Sequence, residues 1–128
     1  MRLLLDTHAV AWWFEDSPRL GAAARRAIED PASIVLVSAV SVFEMATKYH
    51  LGKWPEIGTL LMDVPGYLDS QQFETLPISL HHAQVAGTLP IPHRDPFDRL
   101  LIAQAQIERA QLVSNETLFD RFGLRRLW

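Results

Sequence analysis

Four acidic residues stand at points of the chain where a carboxylate could do chemistry. Each follows an apolar run or lies in the first turns of a predicted helix, and they are Asp6, Glu44, Asp98 and Glu116. Because the chain has no cysteine, these oxygen ligands suit a hard cation such as Mg²⁺ or Mn²⁺. Two such ions, roughly 3.5–4 Å apart, would clamp the attacking and leaving oxygens of a phosphodiester. The acids therefore predict a metal site suited to phosphodiesters.

Most of these acids also have a purely structural interpretation. Asp6 could simply end a strand in a turn, and Glu116 could be a solvated loop acid. Ser41 and Glu44 match the S-x-x-E capping box, but Ser38 is an equally good helix cap that would leave Glu44 free. The alternatives stay open for each residue alone. Four acids at one predicted edge of a sheet are harder to dismiss together.

The segment HRDPFDRLLIAQA, residues 93–105, holds two aspartates around a proline. Asp95 and Pro96 are typical of a helix start, since aspartate caps the helix and proline at its first position loses no hydrogen bond. Asp98 could be only a favourable charge near a helix N-terminus. We expect Asp95 to start the helix and Asp98 to belong to the site.

Three further residues could position substrate or water near the acids: Thr7, Arg99 and Ser114. Hydroxyls in turns usually bond to the backbone instead, and an arginine on the surface is the alternative for Arg99. His8 and His93 each lie near an acid and could ligate a metal, although a histidine in a loop is more often solvated or hydrogen-bonded.

Composition limits the classes of protein that the chain can belong to. Its 128 residues are 48% hydrophobic and 21% charged, which favours one folded domain over residues 1–128 and argues against disorder. The net charge of −3 argues against a protein that binds nucleic acid only through phosphates, but less against a nuclease whose acids hold metal ions. No apolar stretch is long enough to span a membrane or to form a signal peptide, so we expect a cytoplasmic protein.

Apolar runs alternate with helical patterns along the whole chain. Strands are predicted at residues 2–6, 33–38, 73–78, 111–115 and 124–128. Helices are predicted at residues 9–14, 20–30, 39–53, 57–72 with a break near Pro65-Gly66, 79–89 and 96–110. We expect His81 and His82, at the start of one helix, to lie on the surface.

This alternation predicts an α/β fold, with a mainly parallel sheet of four or five strands covered by helices on both sides. Ligands of such sheets bind outside the carboxyl ends of the strands. If the strands are parallel, the four acids lie near this same edge. Clustered carboxylates repel one another, so we expect at least one raised pKa in the metal-free site.

The assembled residues resemble the PIN-domain family, and most closely the VapC-like ribonuclease toxins of type II toxin–antitoxin modules. The resemblance covers nearly the whole length and rests on the order and spacing of four segments: LLLDTHAVAWW, SAVSVFEMATKYHLGK, HRDPFDRLLIAQA and LVSNETLFDRFG. It implies a three-layer α/β/α fold and a Mg²⁺- or Mn²⁺-dependent endoribonuclease.

Three acids match the family's principal acids by position, namely Asp6, Glu44 and Asp98. The resemblance implies that they bind the metal and that RNA is cleaved by metal-assisted hydrolysis. Glu116 stands where the family often has an aspartate, and its longer side chain can still bind metal.

The resemblance also implies partners: an RNA substrate, a cognate VapB-like antitoxin that blocks the site, and a second copy of the chain in a homodimer. The apolar clusters AVAWWF and LLMDVPGYL give independent support for an interface, because large exposed apolar patches mark interaction surfaces. Both clusters could equally belong to the core.

Two other functions compete with this one. A Mg²⁺-dependent phosphatase of the haloacid-dehalogenase type also begins with a strand ending in aspartate, but it needs a second aspartate two residues later, where this chain has His8. A catalytically inactive PIN-type binding module would have lost one of the three principal acids, and all three are present here.

Overall fold

A sheet of parallel strands forms the centre of the computed structural model, which describes residues 1–128. The strands are β1 (Arg2–Leu5), β2 (Ile34–Ser38), β3 (Glu74–Leu76), β4 (Gln111–Val113) and β5 (Arg126–Leu127). They lie in the order β3-β2-β1-β4-β5, and every neighbouring pair is parallel. The predicted α/β class is confirmed, with five strands in the sheet.

Helices cover both faces of this sheet. The α-helices are α1 (Thr7–Phe14), α2 (Ala22–Glu29), α3 (Ala39–His50), α4 (Gly58–Leu61), α5 (Val64–Ser70), α6 (Leu80–Thr88) and α7 (Pro96–Ile107), and two 3₁₀-helices span Pro55–Ile57 and Thr117–Phe122. No helix has both the length and the apolar character needed to cross a membrane.

The central strands alternate their side chains between two apolar clusters. Leu3 and Leu5 of β1 pack into the cluster under α1 and α2, whereas Leu4 packs into the cluster under α7. All three leucines are fully buried. A strand that is covered on both faces needs this continuous apolar run, and the result is the expected three-layer arrangement.

The strand register places three polar residues side by side at the carboxyl edge of the sheet. Leu5 pairs with Val37 of β2 and with Val113 of β4. The next residues along these strands are Asp6, Ser38 and Ser114, and all three are buried. This edge is where α1 and α3 begin.

The break in the predicted helix over residues 57–72 lies earlier than expected. It falls between α4 and α5, where Asp63 caps α5 by accepting a 3.0 Å hydrogen bond from the backbone N–H of Gly66. Pro65 therefore lies in the first turn of α5, where a proline loses no helical hydrogen bond. The break expected near Pro65-Gly66 therefore falls at Met62 and Asp63, two to three residues earlier.

His82 is buried, with 3% of its surface exposed, so the expectation that it lies on the surface was also wrong. Its Nδ1 accepts a 3.0 Å hydrogen bond from the backbone N–H of Ser79, which in turn caps α6. The other ring nitrogen, Nε2, lies 3.0 Å from Glu108 Oε2 on the neighbouring segment. These partners satisfy both ring nitrogens away from water.

Candidate active site

All four candidate acids line one cavity of about 230 Å³ at the carboxyl edge of the sheet. Asp6 follows β1, Glu44 lies in α3, Asp98 lies in the first turn of α7, and Glu116 follows β4. Their sequence separation is large, but the parallel strands bring the ends of β1, β2 and β4 together. The arrangement collects negative charge in a small, partly enclosed space.

Asp6 is the most deeply buried of the four acids, with 6% of its surface exposed. It caps α1, because its Oδ1 accepts a 2.8 Å hydrogen bond from the backbone N–H of Ala9. Burial raises the pKa of the Asp6 carboxyl to about 6, while a hydrogen bond from Ser114 and the bond from Ala9 oppose the rise. The nearby charge of Glu116 raises this pKa only slightly.

The raised pKa of Asp6 agrees with the expectation for a metal-free site, but its main cause differs. We expected repulsion between carboxylates, and the structure shows that loss of hydration contributes more. Sequence patterns report which acids share an edge, but they do not report how deeply a side chain lies beneath it.

Glu44 is held by donors on both of its oxygens. The Thr7 hydroxyl donates a 2.6 Å hydrogen bond to Oε1, and Lys48 Nζ lies 2.6 Å from Oε2. Ser38, not Ser41, caps α3 by accepting from the backbone N–H of Val40, so Glu44 is free of the capping box. The sequence left open whether Ser41 and Glu44 form a capping box or Ser38 caps the helix. The structure shows the second arrangement, in which Glu44 faces the cavity.

Lys48 was not predicted from the sequence as a residue of the site. It lies one helical turn after Glu44, at the spacing at which opposite charges on a helix surface meet. This four-residue spacing is the sequence signal from which the contact between Lys48 and Glu44 could have been predicted. Lys48 supplies positive charge to an otherwise acidic cavity edge.

Asp98 and Asp95 both line the cavity but have different hydrogen-bond partners. Asp95 Oδ1 accepts hydrogen bonds from the backbone N–H groups of Phe97 at 2.8 Å and Asp98 at 3.1 Å, so it caps α7. The Asp98 carboxylate instead accepts from His93 Nε2 at 2.7 Å. Burial raises the pKa of Asp98 above its ordinary value, and the negative charges of Asp95 and Glu44 add to that rise.

Glu116 is the most solvent-exposed of the four acids. Its backbone N–H donates a 3.0 Å hydrogen bond to the buried Ser114 hydroxyl, which positions the turn after β4. The side chain lines the cavity and makes no hydrogen bond within the chain. Its oxygens are therefore free to accept an incoming ligand.

Arg99 has a structural role that the sequence did not indicate. Its guanidinium donates to five backbone carbonyls, those of Ala86, Gly87, Leu89, Ile91 and His93, at distances from 2.8 to 3.3 Å. It does not line the acidic cavity. The predicted contact with substrate has no support in this geometry, since all of its donors bind the last turn of α6 or the segment that joins α6 to α7.

The chemistry of the donor set fits a hard divalent cation, although the side chains are not arranged around one. No three histidine, aspartate or glutamate side chains converge on a common metal-binding point. Three of the acids instead accept hydrogen bonds from other groups of the chain. Asp6 accepts from Ala9, and Glu44 accepts from Thr7 and Lys48. Asp98 accepts from His93. The raised pKa values of the buried Asp6 and the half-buried Asp98 indicate a site that would be stabilised by positive charge.

The chain matches the family model described as PIN domain over residues 3–124. Among curated proteins it is similar to Ribonuclease VapC22 of Mycobacterium tuberculosis, with 34% identity over 117 residues that cover 89% of this chain and 86% of the relative.

Two solved structures show the same fold. A chain in the crystal structure of VapBC2 from Rickettsia felis, bound to a DNA fragment from their promoter, has a TM-score of 0.73 and 18% identity, covering 100% of this chain and 99% of that chain. A chain in a toxin–antitoxin complex from Klebsiella pneumoniae has a TM-score of 0.58 and 21% identity, covering 90% of this chain and 87% of that chain.

Proposed function

Because the chain belongs to the PIN-domain family, we propose that it is a VapC-like, Mg²⁺- or Mn²⁺-dependent endoribonuclease that acts as the toxin of a type II toxin–antitoxin module in the cytoplasm. The observation that carries this proposal is the single cavity in which Asp6, Glu44, Asp98 and Glu116 meet. The similarity to a protein named as a ribonuclease supports RNA as the substrate.

Asp6, Glu44, Asp98 and Glu116 are the residues that would hold the metal. A bound divalent cation supplies a water of lowered pKa and neutralises charge on the scissile phosphate. The chain's own residues prepare the carboxylates for this role. Thr7 fixes one oxygen of Glu44 at 2.6 Å, and the N-terminal end of α7 favours the ionised form of Asp98.

Hydrogen bonds also fix the orientation of Asp6. The Ala9 N–H holds its Oδ1 at 2.8 Å, and Ser114 bonds to the same carboxyl. With a pKa of about 6, Asp6 is mostly ionised at neutral pH and becomes protonated in mild acid. We infer that activity rises with pH through this range, because a protonated carboxyl cannot hold the cation.

A VapB-like antitoxin and a second copy of the chain are the proposed protein partners. An apolar groove of about 610 Å³ lies beside α3 and α5 and includes Val42, Phe43 and Leu68. Phe43, which lines this groove, is 64% exposed. Apolar exposure of this extent supports contact with another protein, and the toxin–antitoxin complex among the structural neighbours indicates the class.

The direct test is cleavage of single-stranded RNA by the purified chain. We expect cleavage with Mg²⁺ or Mn²⁺, none with EDTA, and none for Asp6→Asn. Hydrolysis of p-nitrophenyl phosphate without RNA cleavage would instead indicate a phosphoryl hydrolase. RNA binding that is unaffected by EDTA, with no cleavage under any condition, would indicate an inactive binding module.

A further inference from the structure

A second cavity, of about 490 Å³, adjoins the acidic one. The two cavities share the side chain of His8, which lines both. The walls of the second cavity carry the rings of His8, Trp12 and Trp54 and the charged side chains of Glu15, Arg19 and Glu56. Apart from His8, none of these residues lines the acidic cavity.

The aromatic rings form one continuous wall, which we call the indole wall: Trp12, His8 and Trp54. The His8 ring centroid lies 5.3 Å from that of Trp12 and 5.2 Å from that of Trp54. All three side chains are only partly buried, so part of the wall remains accessible. Lys48 Nζ lies 5.8 Å from the Trp54 ring centroid and also binds Glu44, which connects the wall to the acids.

We propose that the indole wall is a binding site for one unpaired nucleobase of the RNA, next to the phosphodiester held by the acids. The proposal rests on the nuclease function proposed above. Aromatic side chains are the surfaces on which proteins stack unpaired bases. Because His8 belongs to both cavities, a base on the wall and a phosphate at the acids can come from neighbouring parts of one strand.

The carboxylates beside the wall favour one type of base over another. Glu15, Glu56 and Arg19 line the cavity, so its walls carry two carboxylates and one guanidinium. Neither glutamate side chain has a hydrogen-bond partner within the chain, so both can accept from a base. Ionised carboxylates only accept hydrogen bonds. Guanine offers adjacent N1–H and amino donors, whereas uracil offers one donor between two carbonyls. The site therefore favours guanine over uracil.

The experiment measures binding and cleavage of short single-stranded RNAs that differ only in one base, guanine or uracil. Binding is measured without cleavage in the Asp98→Asn protein, by the fluorescence anisotropy of RNA that carries a fluorescein label. The test variant is Trp54→Leu, and the matched control is Trp13→Leu. Trp13 also packs on the core, but its indole faces Gln71 and Phe73 and lines a different cavity.

We expect Trp54→Leu to weaken binding of the guanine RNA between about 5-fold and 100-fold, the range for loss of one base stack. Trp54→Phe keeps an aromatic face and should restore most of that loss, and Trp13→Leu should bind within about 2-fold of the parent. Equal affinities for Trp54→Leu and Trp13→Leu, with both proteins folded, would overturn the proposal.

Base preference is tested separately on residues whose substitution leaves the fold intact. Glu15 and Glu56 are exposed and make no ion pair, so the double variant Glu15→Gln with Glu56→Gln should fold normally. We expect the preference for guanine over uracil to fall about 10-fold, because a charge-assisted contact is lost. The control Glu29→Gln, also exposed, should keep the preference. An unchanged preference in the double variant would overturn the assignment of guanine.

The results also separate this proposal from the nuclease function. A wild-type chain that cleaves RNA, together with RNA binding that does not depend on Trp54, contradicts the base site and leaves the nuclease proposal intact. A chain that cleaves no RNA but shows Trp54-dependent binding of guanine RNA contradicts the nuclease proposal and supports the base site.

Discussion

The charge of Asp6 should destabilise the metal-free fold, and Asp6→Asn should remove that effect. The side chain is 6% exposed, and burial raises its pKa from 3.8 to about 6. At about 1.4 kcal/mol for each tenfold change in proton affinity, the ionised form costs about 3 kcal/mol of folding free energy. Asparagine has nearly the same volume, and its carbonyl can still accept the hydrogen bond from Ala9.

The sign of the pH dependence follows from the direction of the shift. Because the pKa of Asp6 is higher in the folded state than its ordinary value of 3.8, the native state binds more protons than the unfolded state between these values. The contribution of Asp6 to stability is therefore most favourable below about pH 4, falls as the pH rises to about 6, and stays lower above that. The pKa of Asp98 is raised too, and Asp98 is present in both proteins. The difference in unfolding free energy between wild type and Asp6→Asn therefore reports the effect of Asp6 alone.

The assay is urea unfolding, followed by tryptophan fluorescence, at pH 4, 5, 6 and 7 in EDTA. At pH 7 we expect Asp6→Asn to be more stable than wild type by up to about 3 kcal/mol, and at pH 4 we expect the two to be nearly equal. Adding Mg²⁺ should stabilise the wild type by about 1.4 kcal/mol per tenfold excess over its dissociation constant, and should not stabilise Asp6→Asn. The reasoning would be refuted if the unfolding free energies of wild type and Asp6→Asn changed in parallel with pH. It would also be refuted if millimolar Mg²⁺ or Mn²⁺ did not stabilise the wild type.

Three further predictions concern the neighbouring residues. Asp98→Asn should abolish RNA cleavage with little loss of stability, whereas Asp95→Ala should cost about 0.5–2 kcal/mol in urea unfolding and keep most activity; loss of cleavage by folded Asp95→Ala would place both acids in the site. Arg99→Lys should lose at least about 2 kcal/mol of unfolding free energy, because an ammonium cannot serve five carbonyls; unchanged stability would contradict its structural role. Lys48→Met should bind Mn²⁺ up to about 5-fold more tightly in calorimetry, because a competing cation is removed from Glu44; weaker binding would show that Lys48 positions that carboxylate for the metal.

The sheet could be predicted from the sequence because its signals are local. RLLLD and SIVLVS are short apolar runs between helical patterns, and such runs fit strands buried on both faces. The helix break after α4 was misplaced because proline was treated as a helix breaker, whereas Asp63 two residues earlier caps the next helix and makes Pro65 a favourable start. The burial of His82 depends on Glu108, which lies 26 residues away, and no local pattern reports that contact.

In the candidate site, too, some features could be predicted from the sequence and others depend on contacts between distant residues. Acids at strand ends and helix starts can be read from position alone, and the structure brings Asp6, Glu44, Asp98 and Glu116 to one cavity. The hydrogen bond from Thr7 to Glu44 joins residues separated by 37 positions and depends on how α1 and α3 pack. Three of the five carbonyls bound by Arg99, those of Leu89, Ile91 and His93, belong to an irregular segment whose path the sequence does not specify.

Helix capping explains why these acids differ in what their loss would do. Ser38 and Asp95 satisfy the first N–H groups of α3 and α7, so Glu44 and Asp98 are free to face the cavity. At the start of α1, Asp6 is the helix cap and also the most buried acid of the cavity. A capping role favours an oxygen acceptor but not a charge, since asparagine caps a helix as well as aspartate does. The charge at Asp6 therefore costs stability that the cap does not require, and binding of a cation is the role that we propose for it.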